Sequence, residues 1–137
     1  MTSIYTQQLN WATDTIKALV LTGYAYNAAH IVVADVVGTE LTGYTRPTIP
    51  TRSVAYNDMV DRLELRGGDV TIASVATGQT IAAVILYKEV TNDTDSTLIG
   101  YQTGLSQVTN GGGITLDLPP NDLAADNYLF AINRQTL

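Results

Sequence analysis

The sequence predicts an all-β domain, an antiparallel β-sandwich of jelly-roll or immunoglobulin-like type with an N-terminal arm. Three observations predict it. Threonine occurs 20 times in 137 residues, and Thr with Val, Ile and Tyr is the composition of a pleated surface, where side chains branched at Cβ or aromatic sit well. Short apolar or alternating stretches are separated by Gly, Pro, Asn and Asp clusters roughly every eight to twelve residues, the spacing of sandwiches and barrels. Helix-period stretches between them are lacking, which argues against a parallel α/β sheet. The predicted division is an arm over residues 1–14 and a single sandwich domain over 15–137.

Residues 15–21 form the first clear strand, with Ile16, Ala18 and Val20 on one face and Lys17, Leu19 and Leu21 on the other. Thr22-Gly23 breaks it. Residues 24–37 are ambiguous: Tyr26 to His30 fits a turn or one short helical turn, and the apolar stretch to Val36 fits a buried helix or strand. Residues 40–46 alternate and predict a strand with Gly43 inside it, the mark of a bulge or a close backbone approach. Pro47 and Pro50 end it, because proline cannot donate to a ladder. Residues 52–56 and 60–65 predict two strands around a turn at Asn57-Asp58. The second sets Val60, Arg62, Glu64 and Arg66 against Asp61, Leu63 and Leu65, an exposed and a half-buried face. Gly67-Gly68-Asp69 reads as a hairpin turn into a strand at 70–75. Residues 80–90 are the strongest strand, apolar on both faces from Ile81 to Tyr87 and therefore central. A polar loop at 91–96 leads to a return strand at 97–103 containing Gly100. Residues 114–118, ending at Pro119-Pro120, and 127–132 complete the set.

Composition bounds the function. There is no cysteine, so disulfides, thiolate metal sites and cysteine nucleophiles are excluded. Seven cations against 13 carboxylates give −6 and a pI near 4.4; such a surface repels phosphate, and neither nucleic acid nor an anionic membrane suits it. No Lys or Arg precedes Lys17, so a basic signal-peptide start is missing. The longest apolar run, 81–87, is far short of the about 20 residues a membrane helix needs. The expectation is a soluble protein made in the cytoplasm.

His30 is the single histidine. A general base needs a partner within hydrogen-bond reach, and no serine sits in a nucleophile-elbow pattern, so His30 reads as structural. One histidine is too few for a tetrahedral zinc site. Asn92, Asp93 and Asp95 have oxygen-ligand spacing for calcium but lack the rest of the loop pattern, and read as a solvated hairpin tip. Gly111-Gly112-Gly113 is followed by strand residues rather than Lys-Ser/Thr and a helix, so it is a turn and not a phosphate cradle. Tyr24, Tyr26, Tyr44, Tyr56, Tyr87, Tyr101 and Tyr128 suit core packing with interface use, or a sugar platform. The expectation is a non-enzyme with no catalytic residue, no metal and no cofactor. Ile4, Tyr5, Leu9 and Trp11 of the arm are its candidate partner-binding residues, because aromatic anchors dominate interface energy.

The order of segments resembles a family of small tailed-bacteriophage structural proteins. It does so through Ile16-Lys17-Ala18-Leu19-Val20-Leu21-Thr22, the Tyr26 to His30 region, Gly38 to Arg46, Val84-Ile85-Leu86-Tyr87-Lys88 and Leu98-Ile99-Gly100-Tyr101. The resemblance covers roughly residues 15–103. It implies a virion component without enzymatic chemistry: a capsid decoration (cement) protein that binds the major capsid protein on the head exterior, as a homotrimer. A neck or tail component fits the same segments, and a carbohydrate-binding sandwich is the alternative from a different class.

Overall fold

The computed structural model describes residues 9–59, 61–116 and 130–133. All of its sheets are antiparallel and no α-helix occurs among the described residues. The fold is therefore all-β. Its strands form a three-stranded sheet, a second three-stranded sheet and two two-stranded pairs.

The central sheet comes from the most apolar sequence. β1 (Ile16–Leu21), β6 (Ala83–Lys88) and β7 (Thr97–Gln102) lie in the order β1-β6-β7. The register sets Lys17, Leu19 and Leu21 opposite Tyr87, Ile85 and Ala83, and Ile16, Ala18 and Val20 opposite Lys88, Leu86 and Val84. Alternation then sends the two rows to opposite faces. Leu19, Leu21, Ala83, Ile85, Tyr87 and Leu98 pack under Val33 and Val36, which lie in and beside two short 3-10 turns, Val33–Asp35 and Val37–Thr39. Ile16, Ala18, Leu86 and Ile99 pack on Trp11, Ile49 and Val70. Residues 83–87 of the apolar run thus lie in a strand covered on both faces. A bulge between Leu86 and Tyr87 leaves Ile99 as the extra residue of β7. The change of phase lets Leu98 and Ile99 reach different clusters although they are adjacent.

β4 (Val70–Ile72) pairs with β9 (Ile114–Leu116), and β5 (Thr80–Ile81) with β8 (Gln107–Val108). The predicted strand 80–90 therefore breaks at Ala82 and serves two sheets. The Ala82 N–H donates to the Leu21 carbonyl and its carbonyl accepts from Leu105. The last sheet has the order β10-β3-β2, from β2 (Ser53–Asn57), β3 (Arg62–Arg66) and β10 (Phe130–Asn133).

Three expectations change. Gly67-Gly68-Asp69 is not a hairpin turn, because β3 and β4 pair with different strands; the segment crosses between sheets, tied by the Gly68 N–H to the Pro50 carbonyl. The charged row of β3 is not its exposed face, since Glu64 is 0% exposed and bonds Arg66, itself buried, at 2.6 Å. Residues 40–46 are not a strand. Only Glu40 and Thr48 bridge to β1, at Leu21 and Lys17, and the chain bows out between them. In the gap the Val20 N–H donates to the Tyr44 hydroxyl at 3.0 Å; a side-chain oxygen replaces the missing ladder carbonyl and satisfies a donor that would be costly to bury alone. Gly43, at φ +72°, makes the bow possible: a Cβ there would lie 2.7 Å from the Ala76 Cβ.

Of the arm, residues 9–14 dock on the body and Ile4 and Tyr5 fall outside the described residues. The Arg52 guanidinium fixes the docked part. It donates to the Trp11 carbonyl at 2.7 Å, to the Ile49 carbonyl at 2.5 Å and to the Asp14 carbonyl.

Candidate interaction surface

The loop that leaves β1 returns across the outer end of β7, and short-range hydrogen bonds set its path. The Asn27 side chain accepts from the Ala29 N–H at 2.9 Å, and the Asn27 carbonyl accepts from His30. The Asp35 carboxylate accepts from Ile31 and Val32 at 2.9 and 3.0 Å. These two backbone donors hold its pKa below the usual carboxylate value. The Val32–Thr97 bridge and the Leu98 N–H to the Ile31 carbonyl fasten the loop to β7.

This path gathers three tyrosines that are distant in sequence. Tyr26 stacks on Tyr101 with centroids 5.3 Å apart and 21° between planes, and Tyr24 meets Tyr101 edge-on at 5.5 Å and 61°. Partial burial, and then the nearby Tyr101 and Tyr26, raise the Tyr24 pKa. Tyr26 and Tyr101 remain 53% and 42% exposed, and Ile31 of the same loop is exposed as well. Aromatic pairs of this geometry add about 0.5–1.5 kcal/mol each beyond burial. The rings are therefore fixed before any partner arrives, which lowers the ordering cost of binding.

The other residues singled out in the sequence go elsewhere. Tyr87 is core. Tyr44 lies in the bow and donates to Glu40 at 2.8 Å; burial first, and Glu40 next to its hydroxyl, raise its pKa. His30 sits 6.1 Å from the Tyr24 ring, and no serine or carboxylate side chain hydrogen-bonds to it among the described residues. Asp93 pairs with Arg46 at 2.7 Å rather than facing Asp95, and Asn92 caps its own turn through the Thr94 and Asp95 N–H groups. No group of three or more His, Cys, Asp or Glu converges among the described residues. A Cβ at Gly113 would lie 3.0 Å from the Ile72 carbonyl oxygen, and the Gly112 carbonyl accepts from the Val75 N–H, so the glycine run lies close against the chain that follows β4. Trp11 is buried, and its indole N–H donates to the Arg66 carbonyl at 2.7 Å. Leu9 packs half-buried on the same cluster. An open cleft of about 500 Å³ between residues 43–47 and 71–74 has Tyr44 and Arg46 as its ionisable side chains, and Glu40 engages both.

Charge is arranged with equal economy. Lys17 pairs with Glu89, Arg46 with Glu40 and Asp93, Arg66 with Glu64, and Lys88 with Asp14 at 3.1 Å. Arg52 is held by carbonyls. Among the described side chains these five cations are thus engaged within the fold, while Asp35, Asp58 and Asp95 are exposed.

The Arg46 hub gives a pH prediction. Arg46 bridges Glu40 and Asp93 and lies 5.7 Å over the Tyr87 ring. Its hydrogen bond lowers the Asp93 pKa. A lowered folded pKa means stability that is present above the unfolded value and lost as pH falls through the folded one. Arg46→Ala should cost about 1–2 kcal/mol at neutral pH, an amount already reduced for partial exposure. The difference from wild type should shrink as pH falls below the ordinary aspartate value of about 4, where the unfolded chain begins to bind a proton that the folded Asp93 resists. Thermal melts of both proteins across that range check it; a constant difference would mean that the pair is not formed.

Compared with protein-family models, with curated proteins and with solved structures, the chain matches none of them.

Proposed function

We propose that this chain is a non-enzymatic structural protein of a tailed-phage virion, a decoration protein that binds the major capsid protein on the head exterior. The observation that carries the binding half of this reading is the preordered Tyr24–Tyr26–Tyr101 cluster, on a fold that engages five of its seven cations internally. Tyrosine anchors of this kind dominate protein interfaces because they bring large area at low entropic cost. The phage half rests on the sequence resemblance. An acid-rich exterior also suits a position outside a DNA-filled shell rather than inside it. In the same reading, the packing of the central sheet on β4 and β9 through Ile16, Leu86, Val70 and Leu116 is the core of a β-sandwich of jelly-roll or immunoglobulin-like type.

Co-sedimentation with emptied heads of the encoding phage tests the proposal. Wild type should pellet saturably with the shells. Tyr26→Ala with Tyr101→Ala should weaken pelleting about 30-fold or more, the loss of a hot spot worth at least about 2 kcal/mol, while the fold survives with a melting temperature lowered only by the loss of two ring pairs worth about 0.5–1.5 kcal/mol each. Failure of wild type to pellet would overturn the assignment. Tyrosine-dependent retention on a glycan array instead would move the chain to the carbohydrate-binding class.

A further inference from the structure

We propose that Asn110-Gly111 is a self-modification site, at which the Gly111 amide nitrogen attacks the Asn110 side chain and turns it, through a succinimide and water, into aspartate and isoaspartate. The Asn-Gly pair occurs once in the chain. It lies in the exposed loop between β8 and β9.

Three observations set the reacting groups in place. The Asn110 Oδ1 accepts from the Gly112 N–H at 3.0 Å. That bond folds the side chain forward along the backbone, in a ring that encloses the Gly111 nitrogen, and it polarises the carbonyl where an oxyanion will form. Among the described residues no hydrogen bond engages the Gly111 N–H or the Asn110 Nδ2, so neither the nucleophile nor the leaving group is tied down. Gly111 has no side chain to shield its nitrogen, and the fold demands glycine there: φ is +87° and a Cβ would lie 3.1 Å from the Thr77 Oγ1. Two other asparagines supply the comparison. Asn27 and Asn92 are exposed and accept in the same way from the N–H two residues on, each at 2.9 Å. Ala28 and Asp93 follow them, and a Cβ then crowds the attacking nitrogen.

The steps balance with water as the one co-reactant. Solvent base takes the Gly111 amide proton. The nitrogen bonds to the Asn110 Cγ, the Cγ–Nδ2 bond breaks, and ammonia leaves with a proton regained from solvent. Water then opens the ring. Cleavage of the new N–Cγ bond leaves aspartate. Cleavage of the original peptide bond leaves isoaspartate, whose backbone runs through the side chain and is one atom longer. Either product adds one negative charge to the −6. The longer backbone does not fit, because the loop is pinned on both sides. Upstream, the Thr109 N–H donates to the Gln79 carbonyl at 2.7 Å and its hydroxyl to the Ala76 carbonyl at 2.6 Å. Downstream, the Gly112 carbonyl accepts from Val75 at 3.2 Å. An extra atom between these points loosens β8 or β9. None of this depends on what the tyrosine cluster binds.

Wild type held in mildly alkaline water labelled with heavy oxygen tests the proposal, because each event leaves label in the new carboxyl and peptide mapping reads its position. Label should enter at Asn110 at least about tenfold faster than at Asn27 or Asn92. It should enter the folded protein at no less than about a tenth of the rate in urea, since the loop need not unfold to react. Anion exchange should resolve an acidic form that Asn110→Gln does not produce. The proposal is overturned if Asn27 or Asn92 reacts as fast, if the folded rate falls below that fraction, or if Asn110→Gln acidifies as fast as wild type. The isoaspartate fraction should melt below the aspartate fraction; equal melting would overturn the claim that the longer backbone does not fit.

Discussion

Trp11→Ala is expected to be among the most destabilising single substitutions in the chain. The indole is buried among Ile16, Ala18, Ile49, Val70, Leu86 and Ile99, where residues 9–14 meet the central sheet. Emptying such a site costs about 3–5 kcal/mol in transfer and cavity terms. That is a large share of the about 5–15 kcal/mol that holds a domain together. The Arg66 carbonyl also loses the indole donor. The melting temperature should fall by about 10–20 °C. Trp11→Phe keeps most of the volume and loses the hydrogen bond, so it should cost about 1–3 kcal/mol. Circular dichroism melts of the three proteins separate the two contributions. A fall of only a few degrees for the alanine variant would mean that Trp11 is not core. It would then be available to a partner, as the sequence alone suggested for it together with Ile4, Tyr5 and Leu9.

The elements that were legible in sequence are those whose environment differs plainly between faces or is apolar on both. β1 alternates two apolar rows around Lys17, and β6 is apolar from Ala83 to Tyr87; each lies where those patterns place it, with the register linking the rows. The misread elements share a cause. In residues 40–46, Glu40, Tyr44 and Arg46 alternate as a strand would, yet the alternation encodes an ion network that bows the backbone out. The one local clue was Gly43, whose close approach to Ala76 its position inside the pattern did suggest. At Gly67-Gly68 the local turn chemistry was correct for a change of direction. It was silent on the partner strand, because the pairing of β4 with β9 is set far along the chain.

The interaction surface was legible only as an inventory. The eight tyrosines could be named, but nothing short-range indicates that Tyr24, Tyr26 and Tyr101 meet while Tyr87 is buried and Tyr44 caps a gap in a ladder. Their meeting depends on the β6–β7 register and on the Asn27 turn acting together. Arg52 and its carbonyl partners left no sequence signal at all, since backbone acceptors have no side-chain identity.

The Glu64–Arg66 pair should show the other large effect, and its sign pattern is diagnostic. The two residues are two apart on one strand and so share a face; both are buried and bonded at 2.6 Å. Removing one charge strands the other in a poorly solvated place, so Arg66→Met or Glu64→Met should each cost about 3–5 kcal/mol. Replacing both residues with methionine removes both desolvation penalties and restores apolar contact. The double variant should therefore be clearly more stable than either single one, with a coupling energy of about 1–3 kcal/mol in the cycle. Denaturant unfolding of the four proteins measures it. Additive losses would mean that the two side chains do not depend on each other. Coupling of the expected sign would explain why β3 can carry charged residues on its buried row while leaving Leu63 and Leu65 on the more open one. A hydrophobic count weighs each charge separately, whereas the fold buries the two bonded to each other.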